Sequence, residues 1–495
     1  MARQARLSEL GLTAKGGRNP EVTSLIVDSR DVTEGALFAA LPGSRVHGGE
    51  FIQYALRMGA SAILTDAAGA EIAAGELAAS DAALVVAEEP RQALAYAAAL
   101  FYGAQPETMV AVTGTNGKTS VATFTRQIWE TLGYKAVNLG TTGIEGGWSA
   151  PLGHTTPEPI TLHRALTEAA EAGVTHGAME ASSHGLAQYR LDGVRLAAAG
   201  FTNFSQDHLD YHETFEAYFE AKAGLFGRVL GEGATAVIHL DDGRGAQMVE
   251  IARETGHPIL GIGRRKEADL KIEALRFDPA GQDLRFAWQG QSQQVRLALI
   301  GGFQAENALV AAGLVIAAGE PPEEVFAALE NLGTVRGRME LVAARANGAS
   351  VFVDYSHTPD AVSTALQALR PHIMGRIICI VGAGGDRDAG KRPLMGQAAA
   401  DYADQVIVTD DNPRSEDPAA IRAAVLGGAG PDAVEVGDRA EAILRGVDAL
   451  GPGDALLICG KGHETGQTIG DTVLPFDDAE QASIAVAALD GARAG

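Results

Sequence analysis

Met109-Val-Ala-Val-Thr-Gly-Thr-Asn-Gly-Lys-Thr-Ser120 is the stretch that decides the fold. The apolar run Met109 to Val112 predicts a buried strand, and Gly114 to Gly117 predict a tight turn. Lys118, Thr119 and Ser120 then open a predicted helix that runs to about Leu132. A strand, a glycine turn and a helix start in that order predict a phosphate-binding loop built from Gly114, Thr115, Asn116, Gly117, Lys118, Thr119 and Ser120. Glycines let backbone N–H groups close on phosphate oxygens, and the helix N-terminus adds positive potential. Lys118 can reach the terminal phosphates, and the Thr119 hydroxyl can hold Mg²⁺. The common nucleotide loop, Gly-x4-Gly-Lys-Thr, would need glycine at Val112; here the spacing is Gly-x2-Gly-Lys-Thr. The competing reading is a plain strand-to-helix turn, and the Gly-Lys-Thr placement argues against it.

On either side of the loop, short apolar runs alternate with helical patterns. Before it lie Ser24–Val27, Ala36–Leu41, Ala60–Thr65 and Ala82–Val86, then a linker-like Gly103-Ala-Gln-Pro106. After it come Ala136–Leu139, His176–Met179, Ala197–Phe201 and Thr235–Leu240. Residues 270–300 alternate polar and apolar without helical spacing, which predicts a small antiparallel excursion, and a helix is expected at about 304–318. A third alternating block carries Ser350–Val353, Arg376–Val381, Gln405–Thr409 and Ala455–Cys459. This pattern predicts an α/β protein with parallel sheets covered on both faces and ligands outside the carboxyl ends of the strands.

Composition bounds the function. At 495 residues, a prior of about 150 per domain gives about three domains. The net charge of −24 argues against non-specific nucleic-acid binding. No apolar run is long enough for a transmembrane helix, and no apolar stretch follows the N-terminal Met1-Ala-Arg-Gln-Ala-Arg, so neither membrane insertion nor a signal peptide is expected. Cys379 and Cys459 lie in apolar runs and read as buried thiols.

Polar clusters sit just past the predicted strands. Glu180 follows His176–Met179, and Asp207-His208 follow Ala197–Phe201. Such a carboxylate and imidazole could ligate the Mg²⁺ of a nucleotide; loop hydrogen bonding is the plainer alternative. Phe215, Phe219, Lys222 and Phe226 recur at helical spacing, and a lysine inside an aromatic stripe is costly unless paired or altered. It either snorkels at the stripe's edge or is a neutralised amine that reacts with carbon dioxide to give a metal-binding carbamate. In the third block, Arg387, Arg414 and Glu464 follow three strand ends. Arginine forks grip carboxylates and a carboxylate accepts from an ammonium, so the set suits a zwitterionic amino acid; an internal ion-pair network is the other reading.

These residues together resemble a Mur ligase. The resemblance is carried by Gly114-Thr-Asn-Gly-Lys-Thr-Ser120, Glu180-Ala-Ser-Ser-His184, Phe201-Thr-Asn-Phe-Ser-Gln-Asp-His208, Gly337-Arg-Met-Glu340, Asp354-Tyr-Ser-His-Thr-Pro-Asp360 and Gly384-Gly-Asp-Arg387-Asp. Asp411-Asn-Pro-Arg414 resembles the signature of the member that adds meso-diaminopimelate. The resemblance implies a three-domain Mur ligase architecture. Residues 1–104 would bind UDP, 105–335 would form a phosphate-loop ATPase-like domain, and 336–495 a Rossmann-like domain for the amino acid.

It further implies roles for single residues. Val27, Ser29, Ser44, Arg45 and Val46 would hold the UDP end. Thr155, Thr156, Ser182, Gln188 and Arg190 would meet the muramyl dipeptide. Asn307 and Arg338 would lie near the ATP held by the loop. Arg387, Asp411, Asn412, Pro413, Arg414, Gly460 and Glu464 would form the diaminopimelate pocket. Lys222 falls where the family carries its carbamylated lysine, so Thr119, Glu180, His208 and that carbamate would hold Mg²⁺, and Lys118, Lys222, Glu180 and His208 would serve catalysis. Gln304 stands where relatives often have asparagine, and Ala181 where valine is commoner.

The implied activity is ATP-dependent amide ligation, with Mg²⁺, of meso-diaminopimelate to the D-glutamate side-chain carboxylate of UDP-N-acetylmuramoyl-L-Ala-D-Glu, through an acyl phosphate. The implied setting is a cytoplasmic, monomeric enzyme of peptidoglycan synthesis. The alternatives are a lysine-adding sibling and, in a different class, a phosphate-loop regulatory ATPase that makes no covalent product.

Overall fold

The computed structural model describes residues 3–43, 45–205 and 211–493. The chain forms two compact units. One comprises 1–270 and 309–325; the other comprises 271–308 and 326–495.

Among its described residues the first unit contains a four-stranded parallel sheet, the parallel strands of a larger sheet and a two-stranded antiparallel pair. Ser24–Ile26, Ala36–Ala39, Ala62–Thr65 and Ala83–Val86 pair in sequence order, all parallel. A larger sheet centres on Thr108–Thr113, flanked by Ala198–Phe201 on one side and His176–Glu180 on the other. Thr235–His239 and Ile259–Gly263 extend it outward from Ala198–Phe201, and Ala136–Gly140 extends it from His176–Glu180. These strands are buried on both faces, which is why they read as continuous apolar runs. The register sets Glu180 beside Val112 and Phe201 beside Thr113. The residues after both neighbours therefore emerge next to the phosphate loop, at the carboxyl edge.

In the second unit, the predicted antiparallel excursion is the pair Gly281–Trp288 and Gln291–Leu297. The main sheet runs Glu340–Ala344, Ser350–Asp354, Ala455–Cys459, Ile377–Val381, Gln405–Val408 and Val434–Glu435, with only the first strand antiparallel. The last strand in sequence, Ala455–Cys459, inserts between Ser350–Asp354 and Ile377–Val381. Strand order thus reverses there, and the loops beyond Asp354, Cys459, Val381 and Val408 open on one edge, where doubly wound sheets bind ligands. Cys379 and Cys459 are both buried free thiols.

One buried ion pair ties that edge together. Arg439 and Asp478 begin the helices Arg439–Asp448 and Asp478–Arg493, and both side chains are fully buried, 2.6 Å apart. Arg439 also donates to the carbonyls of Cys459 (2.9 Å) and Asp410 (3.3 Å), at two of the strand ends. Burial opposes the guanidinium charge, yet Asp478 holds its pKa above the ordinary value. Removing one partner strands a buried charge, so Asp478→Ala is expected to destabilise this unit by about 3–5 kcal/mol. Chemical denaturation followed by circular dichroism checks this; a loss below about 1 kcal/mol would contradict it.

Candidate active site

The phosphate loop forms as its sequence predicts, between the strand Thr108–Thr113 and the helix Lys118–Thr131. Gly117 has φ of 87° and Gly114 of 152°, both in the region glycine favours. A Cβ on Gly114 would lie 1.9 Å from the Thr202 hydroxyl, so no larger residue fits there. The helix has no side-chain cap, which leaves its N-terminus to serve an anion. Lys118 Nζ donates to the carbonyls of Gly114 and Thr115, each at 2.9 Å. Thr119 and Ser120 are buried at the helix start.

Asn203, to which the sequence pattern gave no role, clamps this loop. Its carbonyl accepts from the Thr115 N–H at 2.9 Å, and its side chain accepts from the Asn116 N–H (2.9 Å) while donating to the Asn116 carbonyl (3.1 Å). Two N–H groups expected to face phosphate are therefore engaged by protein.

Glu180 lies on the other side of the loop strand and is almost fully buried. Its Oε1 accepts from the Thr141 N–H at 2.8 Å. Gly140 must lack a side chain, since a Cβ there would sit 1.9 Å from that oxygen. The Thr141 hydroxyl links to Thr155 at 3.0 Å, and the Thr156 hydroxyl donates to the Glu180 carbonyl and accepts from the Ser182 N–H. Arg190 donates to the Thr156 carbonyl (2.7 Å) and to Gln188 (2.8 Å). Thr155, Thr156, Ser182, Gln188 and Arg190 thus sit in one connected network beside Glu180.

Lys222 does not snorkel. It is 1% exposed, and its Nζ donates to the Gly114 carbonyl of the phosphate loop at 2.7 Å. The same nitrogen lies 4.6 Å from the Tyr218 ring centroid, and the Tyr218 hydroxyl is 3.2 Å from the Thr115 hydroxyl. The aromatic stripe differs from its expected form in two respects. Phe215, at the first turn, is exposed. Phe226 is buried but lies beyond the α-helix Phe215–Gly224, in the π-helical turn Leu225–Val229. Tyr218 takes the place expected of an aromatic partner.

In the N-terminal sheet, Val27 is exposed just past Ser24–Ile26, and Ser29 starts the short turn Ser29–Asp31. Arg45 and the exposed Val46 follow the neighbouring strand Ala36–Ala39, so all four share one carboxyl edge. Ser44 and His208 lie outside the described residues. No group of three His, Cys, Asp or Glu side chains spaced to hold a metal occurs among the described residues.

In the second unit, Asn307 and Gln304 are buried and bonded to each other at 3.1 Å, so the unusual Gln304 has a partner. Arg338 lies over the Tyr355 ring at 4.7 Å, and the His463 ring centroid lies 5.0 Å from that of Tyr355. Burial pushes the Asp354 carboxyl up to about 6 although Arg338 opposes this. Burial and then Arg338 push the His463 imidazole down to about 4, so it is neutral at pH 7.

The pocket residues at this edge converge. Asn412 Nδ2 donates to Glu464 Oε2 at 2.9 Å. Asp411 packs so close to Gly460 that a Cβ there would meet its carboxylate at 2.3 Å. Arg414, in the left-handed region at φ 51°, donates to the Gly385 carbonyl at 2.8 Å. The Arg414 guanidinium and the Arg387 stem both face Gly384. Pro413 is buried, and its carbonyl accepts from the Glu416 N–H. The internal ion-pair reading holds for one member only. Glu464 pairs with Lys461, a buried cation the sequence reading left unassigned, whereas Arg414 bonds a carbonyl.

Comparison with known proteins places this geometry. Three family models match: Mur ligase family, catalytic domain, over 21–102; Mur ligase middle domain, over 112–315; and Mur ligase, glutamate ligase domain, over 337–462. A UDP-N-acetylmuramoyl-L-alanyl-D-glutamate–2,6-diaminopimelate ligase of Bradyrhizobium diazoefficiens is 50% identical, covering 94% of this chain and 95% of that protein. Its namesake from Caulobacter vibrioides is 47% identical over 98% and 99%. A solved structure of a ligase of the same name superposes with a TM-score of 0.70 at 34% identity, covering 96% of both chains. The MurF ligase of Thermotoga maritima in complex with ADP shares the fold at TM-score 0.61 and 19% identity, over 89% of this chain and 94% of that one. With catalytic, middle and glutamate-ligase segments matched in order and half of the aligned residues shared with such a ligase, the chain belongs to the Mur ligase family.

Proposed function

We propose that this chain joins meso-diaminopimelate to the D-glutamate side-chain carboxylate of UDP-N-acetylmuramoyl-L-Ala-D-Glu at the expense of ATP, in cytoplasmic peptidoglycan synthesis. The observation that carries this reading is the 50% identity, over 94% of the chain, to a ligase of that name. The converging Arg387, Arg414, Asn412 and Glu464 support the choice of amino acid. In this reading 1–104 holds UDP, 105–335 the nucleotide and 336–495 the amino acid.

A carboxylate resists an amine because its oxygen leaves poorly. Transfer of the terminal phosphoryl group of ATP to that oxygen makes an acyl phosphate. The amine nitrogen then attacks the carbonyl carbon, loses its proton, and phosphate departs from the tetrahedral intermediate. Lys118 and the helix start at Lys118–Ser120 neutralise charge on the transferring group, so positioning and electrostatics supply the acceleration. The network through Thr155, Thr156, Ser182, Gln188 and Arg190 orients the acceptor beside Glu180. His463, Tyr355 and Arg338 pack together in the second unit, the two rings tilted at 47°.

Thr119 and Glu180, with His208 and a carbamate on Lys222, would hold Mg²⁺, which would screen phosphate charge. Lys222 suits carbamylation because a lysine amine only 1% exposed is costly to keep charged. Lys222→Ala is expected to be nearly inactive and partly rescued by small carboxylic acids. Activity of the wild-type enzyme should fall in carbon-dioxide-free buffer at low Mg²⁺; full activity there, with an unmodified amine, would count against the carbamate.

The deciding experiment follows ADP release with the uridine substrate and a panel of amino acids. A ligase needs both for turnover. ATP hydrolysis indifferent to them would instead indicate a regulatory ATPase, and preference for lysine would indicate the sibling activity.

A further inference from the structure

Lys461 has no part in the reading above, yet it is the most deeply buried cation of the amino-acid pocket. Its side chain is 0% exposed. Its Nζ donates to Asn412 Oδ1 at 3.0 Å and to Glu464 Oε2 at 3.1 Å. Asn412 Oδ1 also accepts from the Thr468 N–H at 2.9 Å, and Asn412 Nδ2 donates to the same Glu464 oxygen at 2.9 Å. Lysine, asparagine and glutamate therefore close a ring of hydrogen bonds joining the loop after Gln405–Val408 to the loop after Ala455–Cys459.

Two consequences follow from this geometry. Glu464 is held through Oε2 alone, and no described residue donates to its Oε1. The Glu464 side chain is 31% exposed. The carboxylate is also charge-compensated by a cation that water does not reach. Glu464, Asp411 and Arg387 all act on Tyr355, and Asp386 faces Arg387 and Arg414. Removing Lys461 therefore lowers the net charge of this group of side chains by one.

We propose that Lys461 is a specificity-determining positioning residue. By fixing Glu464 and cancelling its charge, it makes the pocket select an amino acid whose far end is a zwitterion over one whose far end is a bare ammonium. This rests on the proposed function and deepens it. A distal carboxylate beside the two arginines gains from the extra positive charge, whereas a lone ammonium is repelled by it. A buried lysine acts strongly here because water does not screen it.

Lys461→Met removes the charge and keeps an aliphatic stem of similar length. Lys461→Gln removes the charge but keeps a donor for Asn412 and Glu464. The experiment measures kcat/KM for meso-diaminopimelate and for lysine on the wild type and both variants, with KM for ATP alongside and circular dichroism melting as a folding check. A unit charge a few ångströms away in a partly buried pocket outweighs a tenfold factor, so both variants are expected to lower the diaminopimelate-to-lysine ratio by about tenfold or more. KM for ATP should stay within about twofold. If the ratio is unchanged in the Gln variant, or both amino acids lose the same factor in both variants, Lys461 is merely structural and the proposal is overturned. If only the Met variant misfolds, the Gln variant decides. Failure of the underlying activity is distinguishable, because the wild type would then not turn over diaminopimelate.

Discussion

Lys118→Ala is expected to lower ligation by at least about 10³-fold, in line with removing a preorganised charge from a phosphoryl-transfer site. The structure explains why chemistry should suffer more than folding. Lys118 stands at the first position of the helix Lys118–Thr131, with Nζ against the Gly114 and Thr115 carbonyls. Losing those bonds costs about 1 kcal/mol each. The loop keeps its shape through other contacts, since Asn203 holds Thr115 and Asn116, and the Thr202 hydroxyl donates to the Asn116 carbonyl at 2.6 Å. ADP release with saturating amino acid and uridine substrate, beside a melting curve, is the measurement. A folded Lys118→Ala protein with near wild-type product formation would remove the loop from the mechanism.

The phosphate loop was legible because it is local. Its strand, turn and helix start lie within twelve consecutive residues, and glycine and lysine have few other uses in that order. The Rossmann-like block was legible for a related reason: strands buried on both faces leave apolar runs with polar residues at their ends. Lys222 was legible as an anomaly, because a charge among aromatics contradicts its neighbours. The residues that escaped act across sequence distance. Asn203 reaches back 87 positions to Asn116, and its type is ordinary in a loop. Lys461, between two glycines, looks like a solvated loop lysine; only the insertion of Ala455–Cys459 between older neighbours buries it against Asn412. The stripe misled at Phe215, which the first turn of its helix leaves exposed, and at Phe226, which a π-helical turn carries beyond the α-helix.

Wild-type enzyme is expected to prefer meso-diaminopimelate over lysine by roughly 10⁴ in kcat/KM, the scale at which a site built for a polar group rejects an analogue lacking it. The two amino acids differ by one carboxylate on the distal carbon. Arg414 is half-buried, bonds only the Gly385 carbonyl among described residues through Nη1, and shares the face of Gly384 with Arg387. A carboxylate entering there gains charge-assisted hydrogen bonds of about 1.5–3 kcal/mol each. Lysine would leave the fork without that partner and bring an ammonium toward it, a penalty of similar order that adds to the lost attraction. Arg414→Ala should therefore lose diaminopimelate turnover far more than ATP affinity, and should narrow the gap between the two substrates. Arg414→Lys should recover only part of the loss, because an ammonium supplies the charge without the planar fork. Measuring kcat/KM for both amino acids on the three proteins tests this directly. Equal wild-type values for lysine and diaminopimelate, or an Arg414→Ala enzyme that discriminates as fully as wild type, would show that the arginine does not read the distal carboxylate.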